Sequence, residues 1–301
     1  MTLETLESRL REILPEEYQD SYEDIDPVPM RSAGLKFDSD GKVAWNEIWG
    51  SFCDLAMAGG PPHKGLLLEP GSRTEIESQP DLYRTAIEEI CRGITMTTDL
   101  PAQPSPAPGW VRVTCHSDAM AGWLVRAIVM ENVSARLIGA SLDLPAGPAY
   151  RLDKEIKNVV TVIAKTCHYW LGHMWRVQRH AIAELFEAME EQFPLVEPRC
   201  PEDASMAAAA EGVARTLAES IHQQTGLRSS LHRYAGWLGL ECPSVRAAIW
   251  MMRMMVAGNV LSRREGMVLF VPVNPLIDPD GSAVAESVRR THAFAAARQI
   301  L

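Results

Sequence analysis

Apolar positions recur every three or four residues over several long stretches of this chain and alternate over a few short ones. The two periods together predict a mixed helix and sheet protein of the α/β (α+β) class. The opening MTLETLESRLREILPEEY reads as an acidic amphipathic helix. Residues 34–165 read as one pattern written twice: strand, helix, strand, Pro/Gly turn, helix. In that alignment Trp49 is set against Trp123, LLLEPG (66–71) against LDLPAG (142–147), and Tyr83-Arg84 against Tyr150-Arg151, with gaps of a few residues between the matches. Two such units would pack as pseudo-twins, with a pocket at their seam. The second copy's last helix is expected to run on from Asp153 to Gln192, bending at Gly172.

PLVEPRCPEDAS marks the next boundary. Beyond it, helical stretches are expected near 204–224, 228–238 and 243–257. NVLSRREGMVLFVPVN then places two apolar runs around a turn at Gly266. Three helices and a hairpin give a winged-helix-like module, closed by a terminal helix over SAVAESVRRTHAFAAARQ. The expected domains are an acidic arm over 1–30, a tandem duplicated strand–helix–strand–helix module with its long helix over 31–192, and the winged-helix-like module over 200–301.

Composition narrows the classes. The chain has 301 residues, 47% of them hydrophobic, enough for a real core. A net charge of −10 argues against a surface built for nucleic acid. No run of apolar residues is long enough for a membrane span, and the first residues lack the pattern of a signal peptide. The six cysteines are scattered, with no CxxC pair, which fits a reduced, cytoplasmic setting.

The charge is unevenly spread. Residues 1–30 hold nine acids against Arg9 and Arg11, a net −7, whereas residues 156–183 hold no Asp or Glu at all. Wound as a helix, the latter segment puts Val159, Val160, Ile163, Cys167, Trp170, Leu171, Met174 and Val177 on one side. Lys157, Thr161, Lys165, His168, Gly172, Arg176 and Arg179 fall on the other. A solvated helix face ordinarily mixes both signs, so this stripe is expected to meet something negative. That partner is either an anionic small molecule or cofactor held by Lys165, Arg176 and Arg179, or the acidic arm, or a second subunit. If the protein is an enzyme, His168 is the preferred general acid–base, because imidazole titrates near neutrality. The loop AGGPPHKG offers a second anion-binding group in Gly59, Gly60, His63 and Lys64, the glycine amides lining it and the Pro pair presenting His63 and Lys64.

Other chemistry is less favoured. His168 and His173 are five apart and diverge by about 140° on an α-helix, and His173 and His180 stand two turns apart, so no metal site is expected. Cys115 beside His116 is a weak candidate nucleophile, since strand neighbours point to opposite faces. The stretch 211–273 carries a net +3, but its helix SVRAAIWMMRMMVAGN shows methionines and Trp250 where a DNA-reading helix would show polar groups. It suits dimerisation or docking better than nucleic acid. The functional expectation is a cytoplasmic protein that binds an anionic small molecule or cofactor at the seam of the duplicated module. Against it stand a non-catalytic scaffold and a ligand-sensing winged-helix regulator.

Overall fold

Leu6, Leu10 and Ile13 recur at helical spacing and are buried in α1 (Leu3–Ile13). The Thr2 hydroxyl accepts the Thr5 N–H and so caps the helix start. α1 is followed by the short α2 (Glu16–Gln19). The computed structural model describes residues 1–20, 34–47, 65–199 and 204–301. The chain divides into a central unit, Pro27–Arg179, and a terminal unit made of Met1–Asp26 and His180–Leu301. α1 belongs to the terminal unit: it packs on the Met-rich helix at Val245–Ala257, and Glu7 pairs with Arg298. The first part of the expected acidic arm is thus an integral helix, anchored by its leucines; residues 21–33 lie outside the described residues. No helix among the described residues is long and apolar enough to cross a membrane.

In the central unit α3 (Arg73–Ser78) opens with a capping box between Ser72 and Glu75. α4 (Pro80–Thr98) begins with proline, where a missing N–H costs nothing, and buries Ile87, Ile90 and Ile94. β1 (Ala102–Pro104) and β2 (Trp110–Thr114) lead to α5 (Asp118–Met130), capped by Ser117. β3 (Arg136–Ile138) and β4 (Ser141–Pro145) complete an antiparallel sheet of order β1-β2-β4-β3. α6 (Lys157–His168) follows, with a π turn on each side, Leu152–Ile156 and Tyr169–His173. Met174 is extended (φ −104°, ψ 123°), so the helix expected to bend at Gly172 instead breaks there. α7 (Arg176–Gln192) carries the chain onward.

The terminal unit repeats this order. α8 (Ala204–Thr225), β5 (Arg228–Ser229), β6 (Trp237–Glu241), α9 (Val245–Ala257), β7 (Arg263–Glu265), β8 (Val268–Pro272) and α10 (Ser282–Ala297) follow, and the sheet has the order β5-β6-β8-β7. Both units are therefore mixed helix and sheet, each with one small antiparallel sheet.

The correspondence is residue by residue at an offset of 127. Trp110 matches Trp237, and Cys115, Ser117, Trp123, Arg126, Asn132, Arg136, Gly139 and Pro145 find identical residues at the same spacing, without a gap. Left-handed backbone recurs at the same places: Asp99 and Gly226, Gly109 and Gly236, Asn132 and Asn259, Gly139 and Gly266. Trp110 pairs with Pro145 as Trp237 pairs with Pro272. The Ala146 N–H donates to the Gly109 carbonyl as the Val273 N–H donates to that of Gly236, each at 2.8 Å. Gly109 and Gly236 are held to glycine by positive φ and by crowding: a Cβ would lie 2.6 Å from the Gly71 oxygen in one unit and 3.0 Å from the Arg199 backbone in the other.

Two expectations need correction. The segment that matches 109–145 is 236–272 and not 34–93, and further upstream 68–70 matches 196–198 at an offset of 128. Leu68 bridges Val133 and Val196 bridges Val260, so LLLEPG corresponds to the Val196-Glu197-Pro198 run and not to LDLPAG. Trp49 and the rest of 48–64 lie outside the described residues. The winged-helix order also fails, because 228–238 is strand, loop and strand start. Gly236 in the left-handed region starts β6, whose Trp237 and Leu240 are buried.

One shared arginine shows how the two units differ. In the central unit Asp143 is wholly buried and receives Arg112 (2.8 Å), Arg136 (2.8 Å) and Ser105 (2.9 Å). Burial alone would raise its pKa, but those hydrogen bonds outweigh it and hold the carboxyl below its ordinary value. The terminal unit puts Phe270 at the position of Asp143 and Gly239 at that of Arg112. Arg263, equivalent to Arg136, is fully buried there, its guanidinium 4.0 Å from the Phe270 ring centre, 4.4 Å from Tyr234 and 5.1 Å from Trp237. It also bonds Glu265 at 2.7 Å.

Asp143→Asn should therefore destabilise the central unit by about 3 kcal/mol at neutral pH, read by urea denaturation. A depressed carboxyl pKa contributes stability that is complete above the unfolded value, about 4, and is lost as the pH falls through the folded value. The variant should accordingly show a flatter loss of stability on acidification than the parent.

Candidate ligand groove

α8 presents Ala210, Ala214 and Ala218 at spacing i, i+4, i+8, one row on a helix. Their equivalents on α4 are Tyr83, Ile87 and Cys91. In the central unit those side chains fill the space between helix and sheet: Ile87 is buried, and the Tyr83 hydroxyl accepts the Gly109 N–H at 2.7 Å. In the terminal unit three alanines stand instead, and a groove of about 490 Å³ opens beside them. Trp237, Tyr234 and Gly239 line it with the alanines. Gly236, the counterpart of Gly109, also lines it, and its N–H donates no hydrogen bond among the described residues. A buried backbone donor ordinarily has a partner.

The wall is braced by the buried arginine. Tyr234 lies on one side of Arg263 and meets Phe270 edge-on with ring centres 5.4 Å apart. His232 stacks 4.7 Å from Tyr234, and its Nδ1 lies 3.5 Å from Glu265, the acid that also takes Arg263. At the rim Arg215, Arg233 and His232 are exposed, and Glu211 is the one carboxylate among the lining residues. The groove therefore joins an aromatic and methyl-lined body, a glycine N–H with no acceptor among the described residues, and two arginines at its mouth.

The residues singled out in the sequence are placed differently. Gly59, Gly60, His63 and Lys64 lie outside the described residues. Lys165 is not on an open stripe: it is 2% exposed and its Nζ lies 2.5 Å from Glu131, at the end of α5. Burial lowers its pKa, opposed by the Glu131 charge and hydrogen bond. Lys157 and Thr161 are buried too. The helix lacks carboxylates of its own because its neighbour α5 supplies one. Arg176 is exposed and Arg179 half-buried on α7, past the break. His168 is half-buried, with its Nε2 3.1 Å from that of His173.

The buried cysteines among the described residues are poor nucleophiles. Burial pushes the thiols of Cys115 and Cys242 up to about 12 and that of Cys167 higher still. No family model, curated protein or solved structure matches the chain.

The alanine groove went unread in the sequence. The run AAAAEGVARTLAES looked only like helix, and its meaning emerges when each alanine is set against its bulky counterpart 127 residues earlier.

Lys165→Met should strand the Glu131 carboxylate inside the central unit and cost roughly 3–5 kcal/mol. Pairing it with Glu131→Gln should recover most of that loss in chemical denaturation, as expected of an internal ion pair and not of a ligand anchor.

Proposed function

We propose that the protein binds a small aromatic anion in the groove of its terminal unit. The observation that carries this reading is the central unit's own Tyr83, whose phenol occupies the equivalent space and satisfies the equivalent glycine N–H. A ligand with a flat ring fills the volume left by Ala210 and Ala214, and an oxygen on that ring accepts from Gly236. The ligand's negative group meets Arg215, Arg233 and His232, where guanidinium offers paired donors to a carboxylate or phosphate. The volume suits a small molecule.

The gap-free offset and the matched left-handed residues support internal duplication, with the ligand site kept by one copy and closed by tyrosine in the other. The buried, unpaired thiols of Cys115, Cys167 and Cys242 support a reducing compartment.

The probe is 4-hydroxyphenylacetate, followed by thermal shift and calorimetry on the untagged chain. At a hundredfold excess over its dissociation constant it should stabilise the protein by about 2.7 kcal/mol. Cyclohexylacetate, which keeps the charge but lacks the ring oxygen and π-face, should bind at least about tenfold more weakly, a loss of about 1.4 kcal/mol. Ala210→Tyr should abolish binding and raise the melting temperature, because it restores the central unit's plug. Equal binding of both acids, or undiminished binding by Ala210→Tyr, would remove this reading.

A further inference from the structure

His168 and His173 take no part in the groove and belong to the central unit. On a regular α-helix their five-residue spacing would turn them about 140° apart. The π turn over Tyr169–His173 changes that, because its wider winding sets residue i over residue i+5. The two Nε2 atoms come to 3.1 Å, with ring centres 4.8 Å apart and planes at 69°. The expectation that these imidazoles diverge was wrong because it assumed one helical period throughout.

We infer that His168 and His173 form a two-histidine chelate for a first-row transition-metal dication, Zn2+ being the simplest case. Zinc–imidazole bonds are about 2.0–2.1 Å. Two such bonds to nitrogens 3.1 Å apart enclose an angle of roughly 100°, between the octahedral and tetrahedral values. Each ring must be neutral and keep its proton on Nδ1, so that both Nε2 lone pairs face the ion. Nitrogen ligands select copper, nickel and zinc over magnesium or calcium. Among the described residues no group of three or more His, Cys, Asp or Glu gathers as a metal cage, so the described residues supply these two ligands. Both rings are half-buried and adjoin Gly172, which is exposed. An added Cβ at Gly172 would sit 3.6 Å from the His168 ring.

π turns depart from regular helix and are frequent at functional sites, and the turn over Tyr169–His173 is what brings these two imidazoles together.

The test is calorimetric titration of Zn2+ alone into the untagged full chain, in a non-chelating buffer at about pH 7.5. One ion per chain is expected. His168→Gln and His173→Gln should each weaken uptake by at least about tenfold, and the double variant should lose it, with unchanged helical circular dichroism. Acidification should release the ion, because protons compete with the metal for the imidazole nitrogens. Nitrogen NMR of the native chain provides a readout that needs no variant: the Nε2 resonances of both histidines should shift on adding Zn2+. Undiminished binding in the double variant, no uptake by the native chain, or Nε2 resonances that do not move would each overturn the assignment.

Discussion

A guanidinium packed into a protein must be given a counter-charge or a set of π-faces, and two equivalent arginines of this chain weight the two differently. Arg136 takes Asp143 and also lies 4.5 Å over the Trp110 ring. Arg263 takes Phe270, Tyr234 and Trp237, with Glu265 at its edge. The choice propagates. Replacing the aspartate by phenylalanine removes the need for Arg112, whose place goes to Gly239, and the aromatic cage then becomes the wall of a groove. Breaking the cage would expose a buried cation and loosen the groove together.

The second determinant is side-chain depth on one helix row. Burying large side chains between helix and sheet gains roughly 1.5–3 kcal/mol apiece, and α4 takes that gain with Tyr83 and Ile87. α8 forgoes it at Ala210, Ala214 and Ala218. The terminal unit recovers stability elsewhere, through α1 and the methionines of α9, which pack on one another and on α10. Met-rich helices adapt to such irregular contacts, so the surface expected for docking is occupied by the protein's own core.

Much of the fold was legible. The helices at 80–98, 118–130, 204–225 and 282–297 follow from 3.6-residue periodicity. The hairpin around Gly266 was readable from two apolar runs, and mixed helix and sheet follows from both periods together. The failures have particular causes. Residues 228–238 look helical because Leu231, Tyr234 and Leu238 space correctly, but Gly236 needs a left-handed turn that ends any helix. The cationic stripe was real as a count of charges, yet the carboxylate that balances Lys165 comes from Glu131, thirty-four residues away and invisible to a helical wheel. Similar Leu-Pro-Gly runs suggested the wrong repeat, while the longer, gap-free match at an offset of 127 carried less conspicuous residues: Asn132, Arg126, Gly139.

Tyr83 reaches its glycine amide while tethered to the chain, so it meets that donor at very high effective concentration. An untethered ring entering the opposite unit must instead give up its translational and rotational freedom, a cost of at least about 4 kcal/mol. Shape alone therefore suffices for the tyrosine but not for a visitor. Arg215 and Arg233 at the mouth of the alanine row supply what the peptide bond supplies to Tyr83: a reason to stay.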